Sequence, residues 1–136
     1  MTETSAEVVV DASVVVRGLT SEGDAARLLD EIAAGAATAH GPELVVAEVS
    51  NALALAVRAE RRALDDAQAL LRTLVDSPLV LHATTPLAPA ALELAATTRL
   101  SAYDAFYAVL ARSLDVPLVT ADRRLGESVA GSVLLE

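Results

Sequence analysis

Apolar positions along the chain fall into two kinds of run that alternate from end to end. Short runs rich in valine, leucine or alanine at 7–10, 36–40, 79–81, 117–120 and 132–135 have the length and side chains of buried β-strands. Between them lie longer stretches that read as helices. Ser21-Glu22-Gly23-Asp24 has the pattern of a capping box, which predicts a helix over 25–34. Pro42 suits the first turn of a helix running from 43 to about 61. Asp65 followed by Gln68 predicts the next helix, to about 75, with Pro78 stopping it. Pro89 opens a helix that ends near Thr98, Ser101 caps one over 102–114, and 122–127 reads as a helical turn.

Strands that are apolar throughout and separated by helices predict a parallel sheet covered on both faces, a three-layer α/β/α sandwich. The 136 residues show no repeat, linker or low-complexity stretch, so 1–136 is read as one domain. In such sheets ligands bind outside the carboxyl ends of the strands. Asp11 follows the first strand directly, and Asp122 follows the 118–120 strand by one residue, so both acids are placed at that edge.

Composition narrows the function. Hydrophobic residues make up 54% and aromatic residues 2%, an excess that calls for thorough burial or a partner surface. A membrane span needs about 20 apolar residues in a row, and the best stretches are interrupted by polar residues or prolines. The segment MTETSAEVVVDAS carries acids where a signal peptide needs basic residues, and a cytoplasmic protein is expected. Absence of cysteine removes disulfides, thiol nucleophiles and thiolate zinc sites. The net charge is −9 and every basic residue is arginine. Passive binding to nucleic acid depends on neutralising phosphates, so a nucleic-acid substrate would need bound cations or local arginines. Arg61-Arg62 and Arg123-Arg124 are the candidate patches, and solvated surface pairs are the competing reading.

Four acids stand out, each with a structural alternative. Asp11 could cap a helix beginning near Val14, Asp122 could cap the turn that follows it, and Asp104 completes a capping box with Ser101. Glu48 shares a helical face with Leu44, Val45, Asn51, Ala52 and Leu55, where a lone ionised carboxylate costs several kcal/mol unless paired or metal-bound. Asp104 has Leu100, Tyr107, Ala108 and Ala111 alongside. Like charges gathered together need a cation, and hard oxygen ligands select Mg²⁺, Mn²⁺ or Ca²⁺. The only histidines, His40 and His82, are read as loop residues, which argues against a histidine-rich metal site.

At these residues the chain resembles the PIN-domain family, and within it the toxins of VapBC-type toxin–antitoxin modules. The resemblance rests on Val-Val-Val-Asp11-Ala-Ser13, Glu48-Val-Ser-Asn51-Ala-Leu, Ser101-Ala-Tyr103-Asp104-Ala-Phe-Tyr107 and Leu118-Val-Thr120-Ala-Asp122-Arg-Arg-Leu, in this order over essentially the whole chain. It implies a central parallel sheet of about five strands and an acidic pocket for one or two Mg²⁺ or Mn²⁺ ions. It also implies endoribonuclease activity by metal-activated water. Asp11, Glu48, Asp104 and Asp122 match the family's acidic positions, and Ser13, Asn51 and Thr120 its accessory polar positions. Arg123 and Arg124 are candidate RNA contacts. A cognate antitoxin and a homodimer are the expected partners. The alternative is a non-catalytic scaffold that kept the acids and acts through protein contacts. Phosphoryl transfer to an aspartate is disfavoured, because that chemistry leans on a lysine and this chain has none.

Overall fold

Strands β1 (Ala6–Val10), β2 (Ala37–Pro42), β3 (Val80–His82), β4 (Leu118–Thr120) and β5 (Val133–Leu134) form one sheet in the computed structural model, in the order β3-β2-β1-β4-β5. Every pairing is parallel. The structure describes residues 6–135, so the start of the segment tested for a signal peptide lies outside the described residues, as does Glu136. From β1 the chain steps outward through β2 to β3, then crosses back to lay β4 on the other side of β1. The order therefore reverses between β1 and β4, and a crevice opens at their carboxyl ends.

The helices are α1 (Ala12–Thr20), α2 (Asp24–Ala34), α3 (Leu44–Arg58), α4 (Leu64–Asp76), α5 (Ala88–Thr97), α6 (Ala102–Leu114) and the short α7 (Arg123–Ser128). α1 packs on α2 and α3, and α3 on α4. α6, backed by α5, packs on β1, β2 and β4, giving the three-layer α/β/α arrangement. Val9 and Val10 of β1 register with Leu118 and Val119 of β4, and all four side chains are buried at the centre of the core. Among the described residues no helix is long and apolar enough to cross a membrane.

Several expectations need correction. The apolar runs of β3 and β5 are not covered on both faces: Val80, Leu81, Val133 and Leu134 are exposed, because these strands are the sheet's edges. The capping box at 21–24 does not form. Ser21 instead closes α1, its N–H reaching the Arg17 carbonyl. Gly23, at φ 120°, is the N-cap of α2, a backbone conformation open to glycine but costly for serine. Pro42 ends β2, in register with His82, and does not open a helix; α3 begins at Leu44. Asp65 lies inside the first turn of α4, which has no side-chain cap. By contrast α6 runs over the expected residues, with Ser101 Oγ accepting from the Asp104 N–H at 3.1 Å.

The histidines are strand residues, not loop residues. His40 is buried in β2, and its Nδ1 lies 2.9 Å from His82 Nε2 at the end of β3. Its Nε2 lies 2.9 Å from Glu7 Oε1 in β1. This chain of hydrogen bonds ties three adjacent strands together.

Candidate functional site at the carboxyl edge of the sheet

Asp11 directly follows β1 and caps α1, so its structural and functional readings are compatible. Its side chain is only 5% exposed. Oδ1 accepts from Ser13 Oγ at 2.6 Å and from the Val14 N–H at 3.1 Å, and Oδ2 accepts from Thr120 Oγ1 at 2.5 Å. The two hydroxyls are held in turn. Ser13 Oγ accepts the Ala121 N–H at 3.0 Å, and Thr120 Oγ1 accepts the Asp122 N–H at 3.0 Å. Asp122 caps α7, its Oδ1 accepting from the N–H groups of Arg124 and Leu125. One hydrogen-bonded frame thus joins the ends of β1 and β4 and aims both acids from the crevice where the strand order reverses.

Glu48 approaches from α3 and Asp104 from the first turn of α6. The core-facing stripe of α3 is Val45, Val49 and Leu53, while Asn51 and Leu55 are exposed. Glu48 therefore stands at the margin of the apolar stripe and is half-buried. The Asn51 amide makes no hydrogen bond to any of the acids among the described residues, whereas Ser13 and Thr120 do. Glu48 Oε1 accepts a 2.6 Å hydrogen bond from the phenol of Tyr107, which is 1% exposed. Sequence reasoning placed Tyr107 only as a neighbour of Asp104. The available signal was that a buried phenol needs a polar partner, which the fold supplies as Glu48, 59 positions away in the chain.

The charges feel one another. Burial pushes the Asp11 carboxyl above its ordinary range; the hydrogen bonds from Ser13, Thr120 and Val14 oppose this, and the charge of Asp104 adds to it. Burial also raises Glu48, against the Tyr107 hydrogen bond, with Asp104 and Asp11 adding to the rise. Asp104 is raised by burial and by Asp122, and lowered by Ser101 and Arg124. Burial and the bond to Glu48 hold Tyr107 far above the usual phenol range, so it stays a donor. These mutual effects bring Asp11, Glu48, Asp104 and Asp122 into one electrostatic site.

Arg124 Nη2 lies 3.6 Å from Asp104 Oδ2 and is largely exposed. Arg123, also exposed, has no ion-pair partner among the described residues. On the far side, an open groove of about 570 Å³ runs from Ser13 and Glu48 along α1 to Arg17 and Thr20. Arg61 and Arg62 lie in the turn after α3.

The donor set fits a hard divalent cation. All the converging groups are carboxylates, and burial raises the proton affinity of Asp11, Glu48 and Asp104, with neighbouring acids adding to the rise. Acceptor capacity remains. A carboxylate offers about four acceptor sites, and Asp11 uses three of them. Glu48 Oε2 and Asp122 Oδ2 accept no hydrogen bond among the described residues. Among those residues no three side chains are already gathered at the spacing of a closed metal cage; Glu48 is turned to Tyr107 and Asp104 to Arg124.

Comparison with known proteins identifies the family. A family model described as PIN domain matches residues 8–129. Ribonuclease VapC1 of Mycobacterium tuberculosis is 36% identical over 121 residues, covering 88% of each chain. The VapC ribonuclease Mb0985 of Mycobacterium bovis is 33% identical over 121 residues, covering 89% of this chain and 90% of the relative. The crystal structure of PAE2754 from Pyrobaculum aerophilum superposes with a TM-score of 0.77 at 27% identity, covering 94% of this chain and 83% of that one.

Proposed function

The chain belongs to the PIN-domain family, on its VapC branch, and from that premise we propose that it is a Mg²⁺- or Mn²⁺-dependent endoribonuclease, the toxin of a toxin–antitoxin pair. The observation that carries this reading is Asp11: a buried carboxylate held by Ser13, Val14 and Thr120 at the switch point of the sheet, with Glu48 and Asp104 coupled to it electrostatically.

Asp11 and Asp104 would serve as the first ligands of the cation, and Glu48 and Asp122 would complete the shell directly or through water. A divalent ion bound there would supply Lewis-acid polarisation of the scissile phosphate and a more acidic water molecule. Ser13 and Thr120 keep Asp11 in one orientation. Arg123 and Arg124 hold flanking phosphates, which matters in a protein of net charge −9. Water adds to phosphorus and the bond to the 3′ oxygen breaks, leaving a 5′-phosphate and a 3′-hydroxyl. An RNA substrate of this kind implies a cytoplasmic location.

Antitoxin and a second copy of the chain are the proposed protein partners. Exposed Leu92, Tyr103, Val75 and Leu64 support them, since each is more than half accessible in the isolated chain. A non-catalytic scaffold would use the same surfaces without the acids. Purified protein incubated with total RNA should produce 5′-phosphate ends in Mg²⁺ or Mn²⁺ and none in EDTA. Expression should arrest growth, and Asp104→Ala should relieve the arrest. Arrest undiminished by that substitution excludes the nuclease reading in favour of the scaffold.

A further inference from the structure

We propose that Tyr107 is the positioning residue for Glu48: its buried hydroxyl fixes one carboxylate oxygen, leaving Oε2 as the oxygen presented to a cation. The inference rests on the metal-dependent reading of the site. Glu48 projects from α3 and Tyr107 from α6, residues separated by 59 positions, and the 2.6 Å contact is the one side-chain hydrogen bond Glu48 makes among the described residues. Asp11 is held by several donors of its own; Glu48 has no hydroxyl from its own helix to do the same work. A glutamate has three side-chain torsions to fix, and on the margin of an apolar stripe few neighbours can fix them.

Tyr107 suits this task for identifiable reasons. Its ring is packed in the core with Leu110 and Ala111 of the same helix, so the hydroxyl has little freedom to move. Partners that orient a metal ligand from behind commonly govern metal affinity, at about 10–100-fold when removed. Phenylalanine could fill the same core space, so packing alone does not account for the hydroxyl.

The test is Mn²⁺ binding to the intact protein by calorimetry, with no RNA present, for the parent, Tyr107→Phe, Glu48→Gln and the double variant. Tyr107→Phe should weaken Mn²⁺ binding by about 10-fold or more, and raise the Mg²⁺ concentration for half-maximal cleavage to match, with KM for RNA at saturating Mg²⁺ little changed. In the Glu48→Gln background the same change should have no further effect on Mn²⁺ affinity. Unchanged Mn²⁺ affinity in Tyr107→Phe, or additive losses in the double variant, overturns the inference while leaving the nuclease reading intact. A parent that neither binds Mn²⁺ nor cuts RNA overturns both. A second measurement needs no core substitution. The chain has two tyrosines, Tyr103 and Tyr107, so protein labelled with 3-fluorotyrosine should give two ¹⁹F lines, assigned with Tyr103→Phe. Mg²⁺ should shift the Tyr107 line, and an unmoved line counts against the proposal whether or not Tyr107→Phe folds.

Discussion

Thr120 donates its hydroxyl to Asp11 across 2.5 Å, joining residues 109 positions apart at the carboxyl ends of neighbouring strands. Both groups are buried, and the same hydroxyl accepts the backbone N–H of Asp122. One oxygen therefore sets the orientation of one acid and the path of the chain into another.

Thr120→Val keeps the shape of the side chain and deletes this bridge. Asp11 loses a donor and the Asp122 N–H loses its acceptor, a change that should cost about 1–3 kcal/mol of stability. RNA cleavage should fall about 10-fold or more by loss of ligand orientation. Asp11→Asn should fall further still, since it removes the charge itself. Initial rates on a defined RNA at saturating Mg²⁺ check the order; a Thr120→Val enzyme as slow as Asp11→Asn would show that the hydroxyl does more than orient.

Crowded carboxylates should destabilise the protein when no metal is bound. Asp11, Glu48 and Asp104 all have folded-state pKa values above their ordinary 3.8, 4.5 and 3.8, with burial the leading cause. In the window above those ordinary values the folded state holds more protons than the unfolded one, so stability rises as pH falls from neutral into it. Asp104→Asn should therefore be more stable than the parent at neutral pH in EDTA, and the difference should shrink toward pH 5. Added Mg²⁺ should stabilise the parent, by about 2.7 kcal/mol at 100 times its Kd, and the variant less. Urea midpoints at several pH values measure this; an Asp104→Asn protein weaker than the parent at neutral pH would count against an electrostatic cost.

The histidine array predicts the opposite trend. The pKa of His82 lies below its ordinary 6.5, first because of burial and then because of the charge of His40. A lowered histidine contributes stability above the unfolded value, and that contribution is lost as pH falls below it. If both rings were protonated, two N–H groups would confront each other across the 2.9 Å contact. His82→Gln, which hydrogen-bonds without titrating, should flatten the fall in melting temperature below pH 6.5 relative to the parent. An identical slope in the two proteins rules out His82 as its source.

At Gly18, α1 lies too close to α2 to leave room for a side chain. A Cβ there would lie 2.5 Å from Leu29 Cδ1 and 2.9 Å from the carbonyl oxygen of Ala25. The leucine can give way but the backbone cannot, so Gly18→Ala should cost about 1–3 kcal/mol by overpacking, against its small gain in helix propensity. Thermal unfolding in EDTA checks it. A variant as stable as the parent would mean that α2 shifts without cost.

Local chemistry written in the sequence was legible where neighbours in the chain decide the outcome. Ser101 capped α6 as its spacing required, and the β-branched run before Asp11 formed the central strand. Local pattern misled where the wider chain path intervened. Ser21 was needed to end α1, Pro42 was drawn into a pairing with β3, and His40 and His82 met only because their strands lie side by side. The sequence alone also placed Asp11 and Asp122 at strand ends, because a parallel sheet puts that edge after each strand. Tertiary structure alone decided how the acids are held. The Thr120 hydroxyl on Asp11, the Tyr107 phenol on Glu48 and the Arg124 guanidinium near Asp104 all span distant parts of the chain. Such contacts leave no periodicity in a sequence, since they depend on where packing brings two elements together rather than on the residues beside them.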